Sequence, residues 1–331
     1  MSDPVALLSD QLEDEITDAF LEAIEDMGSI DVPSLIAAAE RGDQDDVLAH
    51  VGDRLRPVRE ILDRGFARAG TLAAERLGLS FDPAEPIALA ARAAAVASVM
   101  RTLIADTAAA MLQAAFRSTL LPAAIAGSIL VASVPVQAAE RAILVREAIG
   151  LSPAQGASLA VFRSALEAAL ARQQPTPATR PGFTREKAIA PELPAHVLRH
   201  LSAPQRSVIE KATRLQLDRQ QLADLVARQR RALLEVRAGA IGTAGAVTIT
   251  NAGESASWQQ AVTRRDLGPE WRRHWRDRGD ERVRHVHRQV KHQNPEGVAI
   301  DEPFATALGP CMRPPLEAGC RCRVELRRVA A

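Results

Sequence analysis

The chain has 331 residues, of which 47% are apolar and only 3% aromatic, and it carries 41 basic and 41 acidic side chains. This length allows two or three domains with substantial hydrophobic cores, which excludes a disulfide-stapled mini-protein. Alanine-rich runs with few clusters of aromatic and β-branched residues are typical of packed helices and exclude an all-β fold. We therefore predict a mainly α protein, with a multi-helix N-terminal body and a small α+β C-terminal domain.

The zero net charge conceals a polarised chain. Residues 1–53 hold fifteen acidic side chains and one basic one, whereas residues 262–331 hold fifteen basic and ten acidic side chains. The chain begins without a basic segment followed by an apolar one, so no export signal is predicted. The charge distribution predicts either contact between the two segments or a separate partner for each, and the alternative is that the acidic residues form a solvated face of the first helix.

Helical periodicity dominates the first half of the chain. Helices are predicted at residues 7–26, 32–39, 46–77 and 87–120. The first carries an apolar stripe that needs a partner surface, formed by Leu8, Leu12, Ile16, Phe20 and Ile24. Pro57 is expected to kink or split the third, and Ser152 with Pro153 begins a further helix that ends near residue 173.

Residues 118–139 form an uncharged stretch of 22 residues, which is long enough to cross a bilayer. Its alanine, serine, glycine and proline content favours a buried core segment, with insertion after a conformational change as the alternative. Five prolines at 174–194 predict an extended connector. We predict four regions: an acidic helical arm (1–53), a helical domain (54–173), a Pro-rich connector (174–203), and a basic helix with a C-terminal domain (204–331).

The last of these regions is the least uniform. A basic helix is predicted at 204–238, whereas the glycine-rich stretch 239–253 fits either a strand or a helix. Short strands are predicted at 298–300 and 323–326.

All three cysteines lie within twelve residues, at 311–322. Cys311, Cys320 and Cys322, with His287 or His285 as a fourth ligand, would give a Cys3His donor set that suits tetrahedral zinc. A C-x-C pair is not the usual C-x2-C knuckle, so free or pairing thiols and a catalytic thiol are alternatives. No cofactor is predicted other than this structural zinc.

Two tryptophans four residues apart, Trp271 and Trp275, share one face in either a helix or a strand and are predicted core anchors. The alternative is an aromatic platform that, with nearby arginines, stacks on and neutralises nucleic acid. Candidate nucleic-acid contacts are Arg228, Arg230, Arg231, Arg272 and Arg273. No phosphate-binding loop or nucleophile-elbow motif occurs, so no catalytic residue is predicted and the chain is not expected to be an enzyme.

The motifs of the C-terminal region resemble, in order, those of the phage Mu F-like minor head (head morphogenesis) proteins. A tryptophan is followed by D-E-R-V-R-x-x-H at 280–287, D-E-P-F at 301–304, two prolines and C-R-C at 320–322. Upstream, I-G-L-S-P-A-Q at 149–155 and N-A-G at 251–253 are similar to segments of the same family, and the latter favours a helix at 239–262. The resemblance gives a structural role to Trp271, Trp275, Asp280, Arg282, Arg284, His287, Phe304, Cys320 and Cys322.

Two departures from the family pattern occur. The R-T-E that commonly precedes N-A-G is replaced by G-T-A-G at 242–245, and the turn after His287 is altered. The resemblance implies a low-copy capsid protein, made in the bacterial host cytoplasm and located in the virion, inside the capsid or at the portal vertex. Its implied partners are the portal and other capsid or scaffold proteins, with non-specific DNA contact and no stable membrane association.

Three functions follow from these observations. The first is a role in capsid assembly, DNA packaging or genome delivery, as the resemblance implies. The second is a small metal-dependent hydrolase or effector domain in the C-terminal region. The third is a membrane-active ejected protein that uses residues 118–139.

Overall fold

The computed structural model describes residues 3–29, 31–41, 44–117, 138–173, 202–214, 218–279, 281, 283–317 and 319–329. These residues form ten helices and one two-stranded sheet, so the protein is mainly α with a small α+β region near its C-terminus, as predicted. The uncharged stretch at 118–137 and most of the Pro-rich connector lie outside the described residues, as do Asp280 and Arg282.

The helices are α1 (Pro4–Met27), α2 (Val32–Glu40), α3 (Gln44–Arg54), α4 (Arg56–Glu75), α5 (Pro86–Arg117), α6 (Ala138–Ala148), α7 (Pro153–Gln173), α8 (Ala203–Arg214), α9 (Arg219–Thr263) and α10 (His285–Gln293). The strands are β1 (Trp271–Arg276) and β2 (Arg323–Arg328). The predicted break at Pro57 is confirmed, because α4 begins beside this proline after Leu55. Backbone N–H groups in the first turn of a helix have no intrahelical acceptor, so a proline, which lacks this N–H, is tolerated there.

Two compact units divide the chain. The first comprises residues 1–26, 52–104 and 236–331, and the second comprises residues 27–51 and 105–235. These bounds differ from the predicted regions, since the acidic N-terminal helix belongs to the same unit as the C-terminal strands. The reason lies in its apolar stripe, whose five side chains are all at most 3% exposed.

In the first unit, glycines allow close packing of α1, α4 and α9. A Cβ atom added at Gly65 of α4 would lie 2.8 Å from the Leu12 side chain, and one at Gly245 of α9 would lie 3.1 Å from Ile16. At Gly253 of α9, an added Cβ would lie 2.4 Å from the backbone oxygen of Phe66. These glycines let helix backbones approach to distances that a side chain would prevent.

The acidic residues of α1 form ion pairs with basic residues of the same unit. Asp10 pairs with Arg278 and Glu13 with Arg321, with closest nitrogen–oxygen distances of 2.9 and 2.7 Å. Asp3, which directly precedes α1, pairs with Arg323. Of the two predicted consequences of the polarised charge, contact within the chain is therefore the one observed.

Residues 239–253 are helical throughout, which agrees with the resemblance and not with the strand alternative. Threonine hydroxyls bond back to carbonyl oxygens one turn earlier, with Thr243 donating to Gly239 at 2.9 Å and Thr250 to Ala246 at 2.8 Å. Such bonds satisfy hydroxyls inside a helix, so β-branched residues are accommodated there.

The C-terminal region contains the sheet. β1 pairs antiparallel with β2, with Trp271 opposite Arg328 and Trp275 opposite Val324. The predicted strand at 298–300 is reduced to one isolated bridge, in which Arg273 and Val298 exchange backbone hydrogen bonds. The predicted strand at 323–326 is confirmed as part of β2.

The second unit confirms the predicted helix start at residue 153. The Ser152 hydroxyl accepts a hydrogen bond from the Gln155 backbone N–H, and the Gln155 side-chain oxygen accepts one from the Ser152 N–H. This reciprocal pair is a capping box, which satisfies donors at the helix terminus. The Gln155 side chain also donates to the backbone oxygen of Leu233 in α9.

Two helical stretches within the described residues, Pro86–Ala114 and Arg219–Thr263, are long and apolar enough to cross a membrane on length and composition alone. In Arg219–Thr263, half of the most apolar segment is buried inside the protein, as is typical of a core helix in a globular unit.

Candidate metal centre

Three of the predicted metal ligands come together in the first unit. His287, Cys320 and Cys322 are 3%, 1% and 2% exposed, and one potential ligand atom from each lies within 4.8 Å of the other two. The Cys322 Sγ atom is 3.6 Å from Nδ1 of His287. His287 is more than 30 positions from both cysteines in the sequence, so the tertiary fold brings these three residues together.

The C-terminal segment is held against α9 by Asn251. Its side-chain oxygen accepts a hydrogen bond from the Val324 N–H at 3.2 Å, and its amide nitrogen donates to the Cys322 carbonyl at 3.4 Å. Both contacts are buried, so they fix the backbone on each side of Arg323. On the other side of the cluster, His287 lies on the buried face of α10 with Val290.

The imidazole of His287 contacts a different group at each ring nitrogen. Nδ1 faces Cys322, and Nε2 lies 3.1 Å from Oε1 of Glu317. The guanidinium of Arg284 lies 2.6 Å from the same carboxylate oxygen and lowers the pKa of Glu317 through this hydrogen bond. A carboxylate at Nε2 favours the tautomer with its proton there, which leaves the Nδ1 lone pair directed at the cysteines.

The two buried thiols differ in acidity. A hydrogen bond from Cys322 lowers the pKa of Cys320 to about 6. The same hydrogen bond raises the pKa of Cys322, with burial acting in the same direction. Cys320 is therefore the more acidic of the two thiols.

An apolar cluster surrounds these groups. Trp275 is 3% exposed and contacts Phe304 edge to face, with ring centroids 5.3 Å apart. Trp271 is partly buried against the same cluster. Trp275 is therefore a buried core residue, and its enclosed ring contradicts the alternative in which it stacks on nucleic acid.

Cys311 is the one predicted thiol ligand that does not belong to the donor group of His287, Cys320 and Cys322. It is partly buried, and its Sγ atom lies 3.0 Å from the Arg313 carbonyl oxygen, to which the thiol donates. Burial raises the pKa of this thiol. His285, the alternative histidine, is exposed on α10. The cysteines form no disulfide, so the donor set in the described residues is Cys2His.

Arg273 does not have the predicted nucleic-acid role, because its side chain is buried inside the protein. It is 1% exposed, and its guanidinium donates to the carbonyl oxygens of Ala299, Glu302 and Met312. The guanidinium carbon also lies 5.1 Å from the centroid of the Phe304 ring. Burial lowers the pKa of Arg273 to about 10, which leaves it charged at neutral pH.

The other arginines proposed for nucleic-acid contact differ in exposure. Arg228 and Arg231 are exposed on α9, and Arg231 forms an ion pair with Glu235 four residues later. Arg272 is half-buried in β1. Arg230 is also half-buried, and it donates to the carbonyl oxygens of Glu147 and Ile149 in the second unit. Its guanidinium is therefore occupied within the protein.

Asn251, Glu317 and Glu254 were not predicted as site residues. The N-A-G motif was the only sequence signal for the first, and its role became apparent only from its contacts with the C-terminal segment. Glu254, which follows that motif, is 2% exposed, and burial raises its pKa to about 8. The sequence signal for Glu254 was an acidic residue within an otherwise uncharged stretch, Ala238–Val262.

Comparisons of the chain with known protein families, with curated proteins and with solved structures find no match.

Proposed function

We propose that the protein is a minor head (head morphogenesis) protein of a bacteriophage or phage-like particle. In this role it acts at the portal vertex, inside the capsid, in assembly, DNA packaging or genome delivery. The observation that carries the proposal is that the motifs of the resemblance, which are separated in sequence, contribute to one buried cluster. Its members include Trp275, Phe304, Cys320 and Cys322.

The contacts among these motifs support the proposal. Trp275 packs on Phe304, and the histidine of D-E-R-V-R-x-x-H reaches the second cysteine of C-R-C. The asparagine of N-A-G bonds to the backbone of that same cysteine. Short motifs that matched a family by chance would have no physical reason to share one core, whereas motifs that specify one domain must pack together.

The proposed portal association is tested by coexpressing the full chain with the portal protein encoded in the same genome. The complex is treated with nuclease and then separated on a sucrose gradient at moderate salt. We expect this chain to sediment with the portal assembly after nuclease treatment, and a chain expressed alone to remain near the top. A chain that stays at the top in the presence of assembled portal would refute the proposal.

DNA contact is proposed for the exposed face of α9 that carries Arg228 and Arg231. Replacing both with alanine removes two positive charges, so affinity for duplex DNA should fall and its dependence on salt should become less steep. The matched control is Arg56→Ala with Arg59→Ala, which removes two exposed charges from α4. Equal effects of the two double variants in a salt titration would refute this assignment.

A further inference from the structure

We propose that His287, Cys320 and Cys322 bind one zinc ion, through Nδ1 of the imidazole and the two sulfur atoms, with water as the fourth ligand. This inference does not depend on the proposed function. It is carried by three buried donors of the types that zinc prefers, brought together from α10 and from the segment that leads into β2. Two sulfurs and one imidazole favour zinc over magnesium or calcium, which take oxygen ligands.

The spacing of the donor atoms fits tetrahedral coordination. With a zinc–sulfur bond of about 2.3 Å and a zinc–nitrogen bond of about 2.0 Å, a tetrahedral angle separates the two donors by about 3.5 Å. The Cys322 Sγ and His287 Nδ1 atoms are 3.6 Å apart. The other donor pairs are within 4.8 Å, so all three potential ligand atoms lie close enough to share one ion after small shifts.

The surroundings of His287 match those of a zinc-bound histidine. Such a histidine usually donates its second ring N–H to a carboxylate or carbonyl oxygen, which orients the ring and increases its basicity. Here Glu317 lies 3.1 Å from Nε2, on the side of the ring away from Nδ1. Arg284 holds the carboxylate in place through its own contact of 2.6 Å. We assign Glu317 as the residue that positions the ligand.

The indole of Trp275 provides a further argument. Its Nε1 atom is buried and has no hydrogen-bond partner among the described residues, and the ring belongs to the same apolar cluster as Cys320 and Cys322. An unpartnered buried N–H is rare, so its position here points to an acceptor that is present when the site is occupied.

A metal would also serve a structural need. Between α10 and β2 the described residues form no helix and only isolated bridges, those of Val298 and of Phe304 with Cys311. A zinc ion would link α10 to the residues that precede β2 and restrict this irregular segment. Structural metals have this effect in small domains whose cores are limited.

The experiment uses the full chain, expressed in zinc-supplemented medium and purified under reducing conditions without chelator. Elemental analysis of the wild-type protein should give one zinc per chain. Cobalt that replaces the zinc should give the intense visible bands of tetrahedral coordination with thiolate ligands. Both measurements use the unaltered protein, so they do not depend on the folding of any variant.

Variants identify the ligands. Cys320→Ser, Cys322→Ser and His287→Gln should lose the stoichiometric zinc, whereas His285→Gln, on the same helix, and Cys311→Ser should keep it. Glu317→Ala should keep one zinc at saturation but bind it about 10- to 100-fold more weakly, as is typical when a residue that orients a ligand is removed.

Several results would overturn the proposal. One is wild-type protein that contains no zinc and has three thiols reactive on unfolding. Another is a mass two units lower, which would indicate a disulfide between Cys320 and Cys322. Loss of zinc in Cys311→Ser would contradict water as the fourth ligand, and loss of all zinc in Glu317→Ala would contradict the positioning role of that residue.

Discussion

Replacing Arg273 with methionine tests whether this arginine is a structural element of the C-terminal region. Methionine retains much of the aliphatic length but removes the guanidinium, which donates hydrogen bonds to the carbonyl oxygens of Ala299, Glu302 and Met312. These three carbonyls belong to loop residues, so no neighbouring strand can provide new donors to all of them. The variant thus leaves buried acceptors unsatisfied.

The expected loss of stability follows from these contacts. A hydrogen bond that involves a charged group contributes about 1.5–3 kcal/mol, and three such bonds in one network are not additive. A buried acceptor that loses its donor costs about 1–3 kcal/mol. We therefore expect the free energy of unfolding of the first unit to fall by about 4 kcal/mol.

Urea unfolding followed by tryptophan fluorescence measures this change selectively. The chain has three tryptophans and no tyrosine, and the three, Trp258, Trp271 and Trp275, all belong to the first unit. The matched control is Arg272→Met, the adjacent position on the opposite face of β1, for which a change within about 0.5 kcal/mol is expected.

The reasoning would be refuted if Arg273→Met and Arg272→Met lowered stability equally. It would also be refuted if Arg273→Met left stability within 1 kcal/mol of wild type and reduced DNA binding instead, since that result would restore the nucleic-acid role for Arg273.

Three further predictions concern the same unit. Burial raises the pKa of Glu254 to about 8, so this residue contributes stability at low pH that is lost between about pH 4.5 and 8, by at most about 1.4 kcal/mol per pH unit. Glu254→Gln should flatten the pH dependence of the free energy of unfolding in urea titrations, and an unchanged slope would contradict this prediction. Gly253→Ala should lower the melting temperature because its Cβ would lie 2.4 Å from a backbone oxygen, whereas Gly239→Ala, with no atom within 4 Å, should not; equal melting temperatures would argue against close packing. Trp275→Ala should cost about 3–5 kcal/mol by urea unfolding, and a loss below 1 kcal/mol would contradict its burial.

Much of the helical architecture followed from local sequence signals. The apolar stripe of α1 predicted both a helix and a partner surface, and the serine and proline at 152–153 predicted the start of α7. Such features depend on residues within one or two turns of each other. Their physical basis is the 3.6-residue period and the unsatisfied groups at a helix end.

The division of the chain into two units and the identity of the metal donors could not be predicted from such local signals. The partners of α1 include arginines about 300 positions away, such as Arg321, which pairs with Glu13. Charge alone did not decide among contact within the chain, separate partners and a solvated helix face. The three cysteines were close in sequence, yet Cys311 bonds its own loop while His287 arrives from α10. Tertiary contacts select among donors that the sequence presents as equivalent.

The misassignment of Arg273 had a signal that was available from the sequence. Trp271, Arg273 and Trp275 alternate, so in a strand all three side chains lie on one face. Taking this segment as a strand with buried tryptophans would have placed the arginine in the interior as well. An arginine in such a position must serve several acceptors, because a buried charge without partners is strongly destabilising.

The discontinuous first unit has a consequence for synthesis of the chain on the ribosome. Asp3, directly before α1, pairs with Arg323 of β2, 320 positions later, so α1 is synthesised long before a strand that its unit contains. Until that strand is available, α1 lacks the C-terminal part of its packing surface, while the residues of the second unit, 27–51 and 105–235, have all been translated. Such long-range closure is slow and leaves apolar surface exposed to other chains. The acidic residues of α1 then repel similar nascent chains, which limits association before the arginines that neutralise them are made.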